Sequence, residues 1–334
     1  MTVRFPDLHK ATHGGRGMAG TPHRNDIIDF SASLNPLTPV LEWNISPDSI
    51  RRYPDDQYAL LKEVIARHHN RKPEEICVGN GSVEVIRTLC HTILQPGSVV
   101  KIPPHTFSEY ALSVRLAGAT IVGSDHAHVD LTFLCNPDNP SGILTGRDQV
   151  QNILDTVAAG DGILCVDEAF IDLADPMQSV SDLQDSHLFV LRSLTKSFSM
   201  AGVRFGYGIG EPDLIAAMEV MRPPWTVNAF AEQMALQAFA KYGELVCSRE
   251  YIKAERERIS KRCSELGLTA SQASANYLLL DTGESGAELT AAMQGQGILV
   301  RDCTSFGLPS CIRVAVRTHD ENDLLLEALT TCLH

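Results

Sequence analysis

Short apolar runs alternate with amphipathic stretches through the middle of the chain. The apolar runs occupy residues 99–102, 120–122, 131–135, 163–166 and 188–191. Residues 57–70 and 83–94 have the apolar spacing of helices, and further helical segments fall between several of the runs. Strands that alternate with helices are typical of βαβ units. The pattern therefore predicts an α/β fold with a mostly parallel central sheet.

The last third of the chain follows a different pattern. Residues 229–263 are predicted to form one long or broken helix, with Gly243 as a possible break. Alternating strands and helices follow, with strands expected at 276–280, 298–300 and 312–316. We therefore predict a smaller α+β domain at the C-terminus. The predicted parts are an irregular arm, a large domain, and a long helix with the small domain, over residues 1–40, 41–228 and 229–334.

Composition and charge narrow the functional classes. The chain has 334 residues, 44% of them hydrophobic, and 41 acidic against 28 basic residues give a net charge of −13. A surface this acidic argues against binding to nucleic acid or to an anionic membrane. We expect no transmembrane helix and no signal peptide. Nine scattered cysteines without a C-x-x-C pair predict reduced thiols in a cytoplasmic protein, with neither disulfides nor a metal site.

Polar residues follow three of the predicted strands at the point where each strand ends. Residues 136–142 contain an amide, 167–170 begin with a carboxylate, and 192–198 include a lysine. Ligands of open parallel sheets bind beyond these carboxyl ends, so the three groups are expected on one rim. Residues 79–82 also open a helix, whose free N–H groups attract an anion.

Pyridoxal 5′-phosphate requires such a set: a lysine, an acid for its ring nitrogen, donors for its phenolate oxygen and a cradle for its phosphate. Residues 193–206, SLTKSFSMAGVRFG, resemble the lysine motif of fold-type I aminotransferases, and most closely the histidinol-phosphate aminotransferase group. Residues 136–142 and 167–170 resemble that group's motifs in order and spacing. The resemblance extends over nearly the whole chain.

The resemblance implies a role for each matching residue. Lys196 is expected to form the Schiff base with pyridoxal phosphate and to move protons. Asp167 is expected to pair with the ring nitrogen, and Asn139 to donate to the phenolate oxygen. The residues expected to hold the phosphate are Gly81, Ser82, Ser193 and Arg204.

Two aromatic residues also match the family. Phe107 resembles the residue that stacks on the cofactor ring, although an ordinary core position remains an alternative. Tyr53 resembles the tyrosine that reaches the phosphate in a neighbouring subunit, which implies a homodimer; a surface turn is the alternative. Phe170 stands where many aminotransferases have a tyrosine, so a plain aminotransferase is a weaker interpretation.

Arginines near the C-terminus indicate the substrate. Arg313 resembles the family's carboxylate-binding arginine, and Arg301 is a second basic group. If the strand at 312–316 continues far enough, Arg317 shares a face with Arg313, while Val314 and Val316 point to the buried face. Two arginines beyond the cofactor set suggest a substrate with two anionic ends, such as a phosphorylated amino acid.

The N-terminal arm refines this hypothesis. His13-Gly14-Gly15 and residues 29–37 resemble the opening of the threonine-phosphate decarboxylases of cobalamin synthesis. Residues 167–172, which include the phenylalanine, and 300–308 resemble that group as well. The resemblance implies decarboxylation of L-threonine O-3-phosphate to (R)-1-amino-2-propanol O-2-phosphate, with the arm completing the active site. The residues expected to bind this substrate are His13, Arg16, Asn35 and Arg301, with Arg313 on the carboxylate.

Two alternatives stay open at this stage. The first is a histidinol-phosphate or related aminotransferase, because the orientation of the substrate decides which bond breaks and a sequence does not fix an angle. The second is a non-catalytic protein that binds the cofactor. His13 and Asn35 also have ordinary interpretations, as a surface histidine and as a turn residue before a proline.

Overall fold

A seven-stranded sheet lies at the centre of the computed structural model, which describes residues 8–15, 27–43, 45–123, 126 and 128–333. With strands numbered along the chain, its spatial order is β2 (Ile76–Gly79), β8 (Gly206–Ile209), β7 (Leu188–Ser193), β6 (Ile163–Asp167), β5 (Leu131–Cys135), β3 (Val99–Lys101) and β4 (Thr120–Val122). Strand β8 is antiparallel to both neighbours, and the other pairs are parallel. The predicted mostly parallel sheet is confirmed.

Helices connect the strands, and the last two of them pack against C-terminal strands and neighbouring helices rather than on this sheet. They are α1 (Pro47–Arg51), α2 (Ala59–His68), α3 (Ser82–Ile93), α4 (Ser108–Leu116), α5 (Arg147–Ala159), α6 (Leu194–Ser197), α7 (Pro212–Met221), α8 (Ala229–Ala240), α9 (Leu245–Glu265), α10 (Gly286–Gly295) and α11 (His319–Leu333). The helices predicted at 57–70 and 83–94 are confirmed as α2 and α3. The predicted break is also confirmed, because a 3₁₀ turn at Tyr242–Glu244 separates α8 from α9.

A second, antiparallel sheet lies in the C-terminal third. Its order is β12 (Arg301–Asp302), β13 (Cys311–Ala315), β10 (Tyr277–Asp281) and β9 (Thr269–Ala270). Near it, β1 (Ile28–Asp29) pairs in parallel with β11 (Ile298–Leu299). Part of the predicted arm is therefore a strand built onto the C-terminal elements. The domain boundaries given above stay a prediction.

Alternate residues of the central strands supply two hydrophobic clusters. In β7, Leu188 and Val190 belong to one cluster, and Phe189 and Leu191 to the other. This division follows the two-residue period of a strand. The first cluster extends to Val314 and its neighbours in the small sheet, so one continuous core joins both sheets. None of the helices in the described ranges is long and apolar enough to cross a membrane.

Candidate active site

A cavity of about 420 Å³ lies beyond the carboxyl ends of β5, β6 and β7. The start of α3, Phe107 before α4, the N-terminal arm and strands β12 and β13 complete its wall. The lining includes most of the residues predicted from the sequence: His13, Ser82, Phe107, Asn139, Asp167, Ser193, Lys196, Arg204, Arg301 and Arg313. The amide, the carboxylate and the lysine therefore share one cavity.

Lys196 lies in the short helix α6, which begins directly after β7. The Ser193 side chain caps this helix by accepting a hydrogen bond from the Thr195 N–H at 3.3 Å. Burial, together with the positive charges of Arg313 and Arg204, lowers the pKa of Lys196 to about 8. A substantial share of this amine is neutral close to physiological pH, which is the form that attacks a carbonyl carbon.

Asp167 is the last residue of β6 and is only 4% exposed. The Tyr110 hydroxyl donates to its Oδ2 at 2.6 Å, and the Ala169 N–H donates to its Oδ1 at 3.0 Å. Burial nevertheless raises the pKa of Asp167 to about 6. A cationic group beside this carboxylate would favour its ionised form, as a protonated pyridine nitrogen does.

The sequence analysis did not identify Tyr110. This residue lies on α4, three positions after Phe107, and its ring stacks on Phe133 with 4.6 Å between centroids. Its hydroxyl is a stable proton donor because burial raises its pKa well above the ordinary value. A helical residue such as Tyr110, which contacts the site through the side chain of Asp167, belongs to no short sequence motif. Thr195, which also lines the cavity, stood inside the lysine motif and could have been found there.

The start of helix α3 forms a cradle for an anion. Gly81 caps the helix with φ at +83°, a conformation that strongly favours glycine. A Cβ atom there would lie 2.6 Å from the Arg204 guanidinium, so a larger residue would displace this cation. Arg204 is anchored through a 3.0 Å bond to the Ala201 carbonyl. Free N–H groups, a hydroxyl at Ser82 and an arginine together suit a phosphate.

Arg313 projects into the cavity from β13. It donates to the Asn139 Oδ1 atom and, at 3.1 Å, to the Ser31 carbonyl of the N-terminal segment. The first bond leaves the Asn139 amide nitrogen to serve as a donor. The Nε atom of Arg313 is buried and has no hydrogen-bond partner among the described residues. One face of this guanidinium is therefore ready for a further acceptor.

Arg301 lies directly opposite Arg313 in the antiparallel pair of β12 and β13. It donates to the Thr12 carbonyl at 3.2 Å and to the Ser305 hydroxyl at 2.6 Å. Like charges at directly opposite positions of a sheet repel each other. Both arginines are buried and line the same cavity, so an anionic ligand would offset this cost.

The structure places Asn35 outside this cavity, contrary to its predicted contact with substrate. Its side chain donates to the Ser197 carbonyl at 2.8 Å and to the Ser248 hydroxyl at 3.0 Å. Its side-chain oxygen accepts from the Leu37 N–H at 3.0 Å. Because the amide is buried and its polar atoms have these partners, Asn35 ties the N-terminal segment to α6 and α9.

Arg317 does not meet the condition for sharing a face with Arg313. Strand β13 ends at Ala315, so the shared face that a longer strand would give Arg317 and Arg313 does not form. The Arg317 guanidinium instead donates to the Asp29 carbonyl at 3.1 Å and pairs with Glu321 at 2.7 Å. Val314 and Val316 are buried as predicted.

Two other predicted residues lie away from the cavity lining. Tyr53 is 79% exposed, and its ring packs at a tilt against Trp225 with 4.5 Å between centroids. An exposed position is compatible with a contact to a second subunit, which stays a prediction. Arg16 lies outside the described residues.

Comparison with known proteins identifies the family. Residues 26–329 match the model for aminotransferase class I and II. A histidinol-phosphate aminotransferase from Symbiobacterium thermophilum is 30% identical over 330 residues, covering 92% of this chain and 91% of that protein. A provisionally named threonine-phosphate decarboxylase from Caldanaerobacter subterraneus subsp. tengcongensis is 33% identical over 351 residues, covering 94% and 95%.

Solved structures show the same fold. The histidinol-phosphate aminotransferase from Clostridium acetobutylicum superposes with a TM-score of 0.81 at 26% identity, covering 91% of this chain and 98% of that one. The enzyme from Sinorhizobium meliloti, solved with pyridoxal 5′-phosphate, has a TM-score of 0.79 at 22% identity, covering 86% and 84%.

The residues of this chain fit that cofactor. The cavity offers Lys196 for the cofactor aldehyde, Asp167 for its ring nitrogen and Phe107 for its ring face. The Ser82 hydroxyl at the start of α3 and Arg204, which a side chain at Gly81 would displace, suit the cofactor phosphate. The chain is therefore a pyridoxal-phosphate-dependent enzyme that belongs to the family of class I and II aminotransferases.

Proposed function

We propose that this enzyme decarboxylates L-threonine O-3-phosphate to (R)-1-amino-2-propanol O-2-phosphate. One observation carries the proposal: Arg301, Arg313 and His13 line the same cavity as Lys196. Such a wall suits one small molecule with a carboxylate and a phosphate. Histidinol phosphate has a phosphate but no carboxylate, so in an aminotransferase only the second substrate, a keto acid, would bring a carboxylate to this wall.

The assignment of the two anionic ends follows from the neighbours of each cation. Arg313 is held by Asn139, which we place at the cofactor phenolate, so its guanidinium lies close to the reacting centre and would bind the carboxylate. Arg301 and His13 lie on the side of the arm and would bind the substrate phosphate. Fixing both ends orients the bond between them, which is the main contribution of the protein to the choice of reaction.

Pyridoxal phosphate supplies the electron sink that accepts the bonding electrons when the carboxylate leaves as CO₂. The chain supplies a proton to the carbon that has lost the carboxylate. We assign this transfer to Lys196 Nζ, because a pKa of about 8 allows it to hold and release a proton near neutral pH. Asp167 keeps the ring nitrogen protonated, which strengthens the sink.

The N-terminal arm would exclude water from the cavity. Residues 12–15 form part of the lining. A Cβ atom on Gly14 would lie 2.4 Å from the Ser31 carbonyl oxygen, and the Gly15 N–H donates to the Ser31 hydroxyl at 2.9 Å. This close backbone contact requires the small residue and holds the arm over the substrate side.

We also propose that the active unit is a homodimer in the cytoplasm. The exposed pair of Tyr53 and Trp225 presents apolar area at the surface, which a second copy would cover. A groove of about 620 Å³, lined by Val40, Trp43 and Phe230 among others, offers further apolar surface. In such a dimer, Tyr53 would reach the cofactor phosphate of the neighbouring subunit.

A histidinol-phosphate aminotransferase is the second candidate, and its support comes from relatives of that name. Both reactions use the same cofactor, so the product decides between them.

The purified enzyme is incubated with pyridoxal phosphate and L-threonine O-3-phosphate, without a keto acid. We expect CO₂ and the amino-propanol phosphate in equal amounts, and much less CO₂ from L-threonine. If CO₂ is absent but histidinol phosphate reacts with 2-oxoglutarate, the aminotransferase assignment replaces ours.

A further inference from the structure

A buried carboxylate holds the arm histidine at the edge of the cavity. Glu109, the second residue of α4, is only 4% exposed. Its Oε1 atom lies 2.8 Å from the Nε2 atom of His13, a residue 96 positions earlier in the chain. Its Oε2 atom accepts a 3.0 Å bond from Arg87 on α3. One carboxylate thus connects the arm to two helices of the large sheet.

The position of the His13 ring ties this contact to the site. The ring lines the cavity and lies 5.7 Å, between centroids, from Phe107, the residue expected to stack on the cofactor. Phe107 directly precedes α4 and Glu109 is in its first turn. The same helix start therefore places both the aromatic residue and the carboxylate that fixes the histidine.

Elementary hydrogen bonding determines which nitrogen of His13 remains for a ligand. An ionised carboxylate only accepts hydrogen bonds, so Nε2 must carry the hydrogen in this contact. The Nδ1 atom then has no hydrogen-bond partner within the described ranges and is left for a ligand. In this tautomer Nδ1 is an acceptor, which suits the P–OH group of a phosphate monoester.

We propose that Glu109 is a positioning residue, which fixes the tautomer and orientation of His13 so that Nδ1 faces the phosphate of the substrate and accepts a hydrogen bond from its P–OH group. The identity of that ligand rests on the function proposed above, whereas the fixation of the ring does not. Arg87 supports the arrangement by compensating the charge of Glu109, with its own side chain 43% exposed to solvent. If the ion pair of Arg87 and Glu109 only stabilised the fold, it would not need a contact with His13.

The first test measures the tautomer of the His13 ring directly. ¹⁵N chemical shifts of His13 are measured in the holoenzyme, with the signal assigned through His13→Gln. We expect the Nε2–H form in the wild type, its loss to a mixture of tautomers in Glu109→Ala, and its partial return in Glu109→Gln, whose amide oxygen still accepts. Ser113→Ala is the matched control, because Ser113 is buried on the same helix and its hydroxyl has no partner in the described structure. An unchanged tautomer in Glu109→Ala would overturn the proposal.

The second test measures coupling to the substrate phosphate. Glu109→Ala is expected to raise the KM for L-threonine O-3-phosphate on the order of tenfold, the size of one lost charge-assisted hydrogen bond. The KM for unphosphorylated L-threonine should be unchanged. In a His13→Gln background the same substitution should have no further effect. If Glu109→Ala raises this KM by the same factor in the wild type and in His13→Gln, Glu109 acts on stability alone. That result would contradict the proposal.

The two readouts separate this proposal from the proposed function. If the wild type produces no CO₂ yet the His13 tautomer depends on Glu109, the positioning role stands and the substrate assignment fails. If decarboxylation is observed but the His13 tautomer and the KM are unchanged in Glu109→Ala, the function stands and the positioning role fails.

Discussion

The two sides of the cavity are built in different ways. The cofactor side uses residues at the carboxyl ends of parallel strands or in the helix that follows, including Asp167, the last residue of β6, and Lys196 in α6 after β7. The substrate side is assembled from antiparallel strands and an N-terminal segment, in which Arg313 bonds to the Ser31 carbonyl and Arg301 to the Thr12 carbonyl. The first side follows from chain topology, whereas the second depends on contacts between distant segments. Chemistry common to the family and substrate choice are therefore separable in this chain.

The largest expected effect is on the cofactor side. Lys196→Ala should abolish turnover, a loss of at least about 10⁴-fold, because it removes the group that we propose binds the cofactor covalently and moves the proton. Cofactor affinity should fall but persist, since Asp167 and the cradle at Gly81 remain. Turnover assays and equilibrium dialysis with pyridoxal phosphate check both statements. Unchanged activity would mean that the catalytic amine lies elsewhere.

A smaller effect is expected on the substrate side. Arg313→Ala should raise the KM for L-threonine O-3-phosphate about 100-fold, through the loss of a charge-assisted contact to the carboxylate. Cofactor affinity should change little, which sharpens the contrast with Lys196→Ala.

Arg317→Ala is the matched control for this prediction, because Arg317 lies on the same segment but bonds to Asp29 and Glu321 outside the cavity. If both variants raise the KM equally, the assignment of Arg313 to the carboxylate is wrong.

A third expected effect concerns stability and pH rather than turnover. Burial raises the pKa of Asp167 from 3.8 to about 6, so the cofactor-free folded protein holds this proton more tightly than the unfolded chain. The free energy of unfolding should therefore decrease as pH rises from about 4 to about 6. At about 1.4 kcal/mol per pH unit the decrease is about 3 kcal/mol. Bound cofactor should make this decrease smaller, because a positive ring nitrogen beside Asp167 would favour the ionised carboxylate.

Urea unfolding of the cofactor-free protein between pH 4 and pH 7 measures this dependence. Asp167→Asn has no carboxyl proton to lose. The difference between the unfolding free energies of the two proteins at each pH therefore gives the contribution of Asp167 alone. Parallel pH profiles for the wild type and Asp167→Asn would contradict the pKa assigned to Asp167.

Sequence patterns predicted the fold and the meeting of an amide, a carboxylate and a lysine in one cavity, because both depend on local order along the chain. Apolar runs mark the strands, and the groups that follow them meet at one edge of a parallel sheet. Strand β2 escaped the analysis because its four residues, Ile76–Gly79, directly follow a 3₁₀ turn and have no alternating pattern.

The substrate side could not be predicted with the same accuracy. Asn35 precedes a proline and matched a family motif, yet its amide bonds to Ser197 and Ser248 rather than facing the cavity. Tyr110 and Glu109 act from a helix on residues far away in sequence, and no spacing rule connects them to Asp167 or His13. Such partners depend on the packing of α4 against the sheet and the arm, which only the tertiary structure shows.

A crystal structure of the Lys196→Ala enzyme with pyridoxal phosphate and L-threonine O-3-phosphate tests the central claim most directly. The account predicts one substrate molecule, with its carboxylate on Arg313 and its phosphate on His13 and Arg301. A substrate bound in the reverse orientation, with its phosphate on Arg313, would contradict the division of the cavity into these two anion sites.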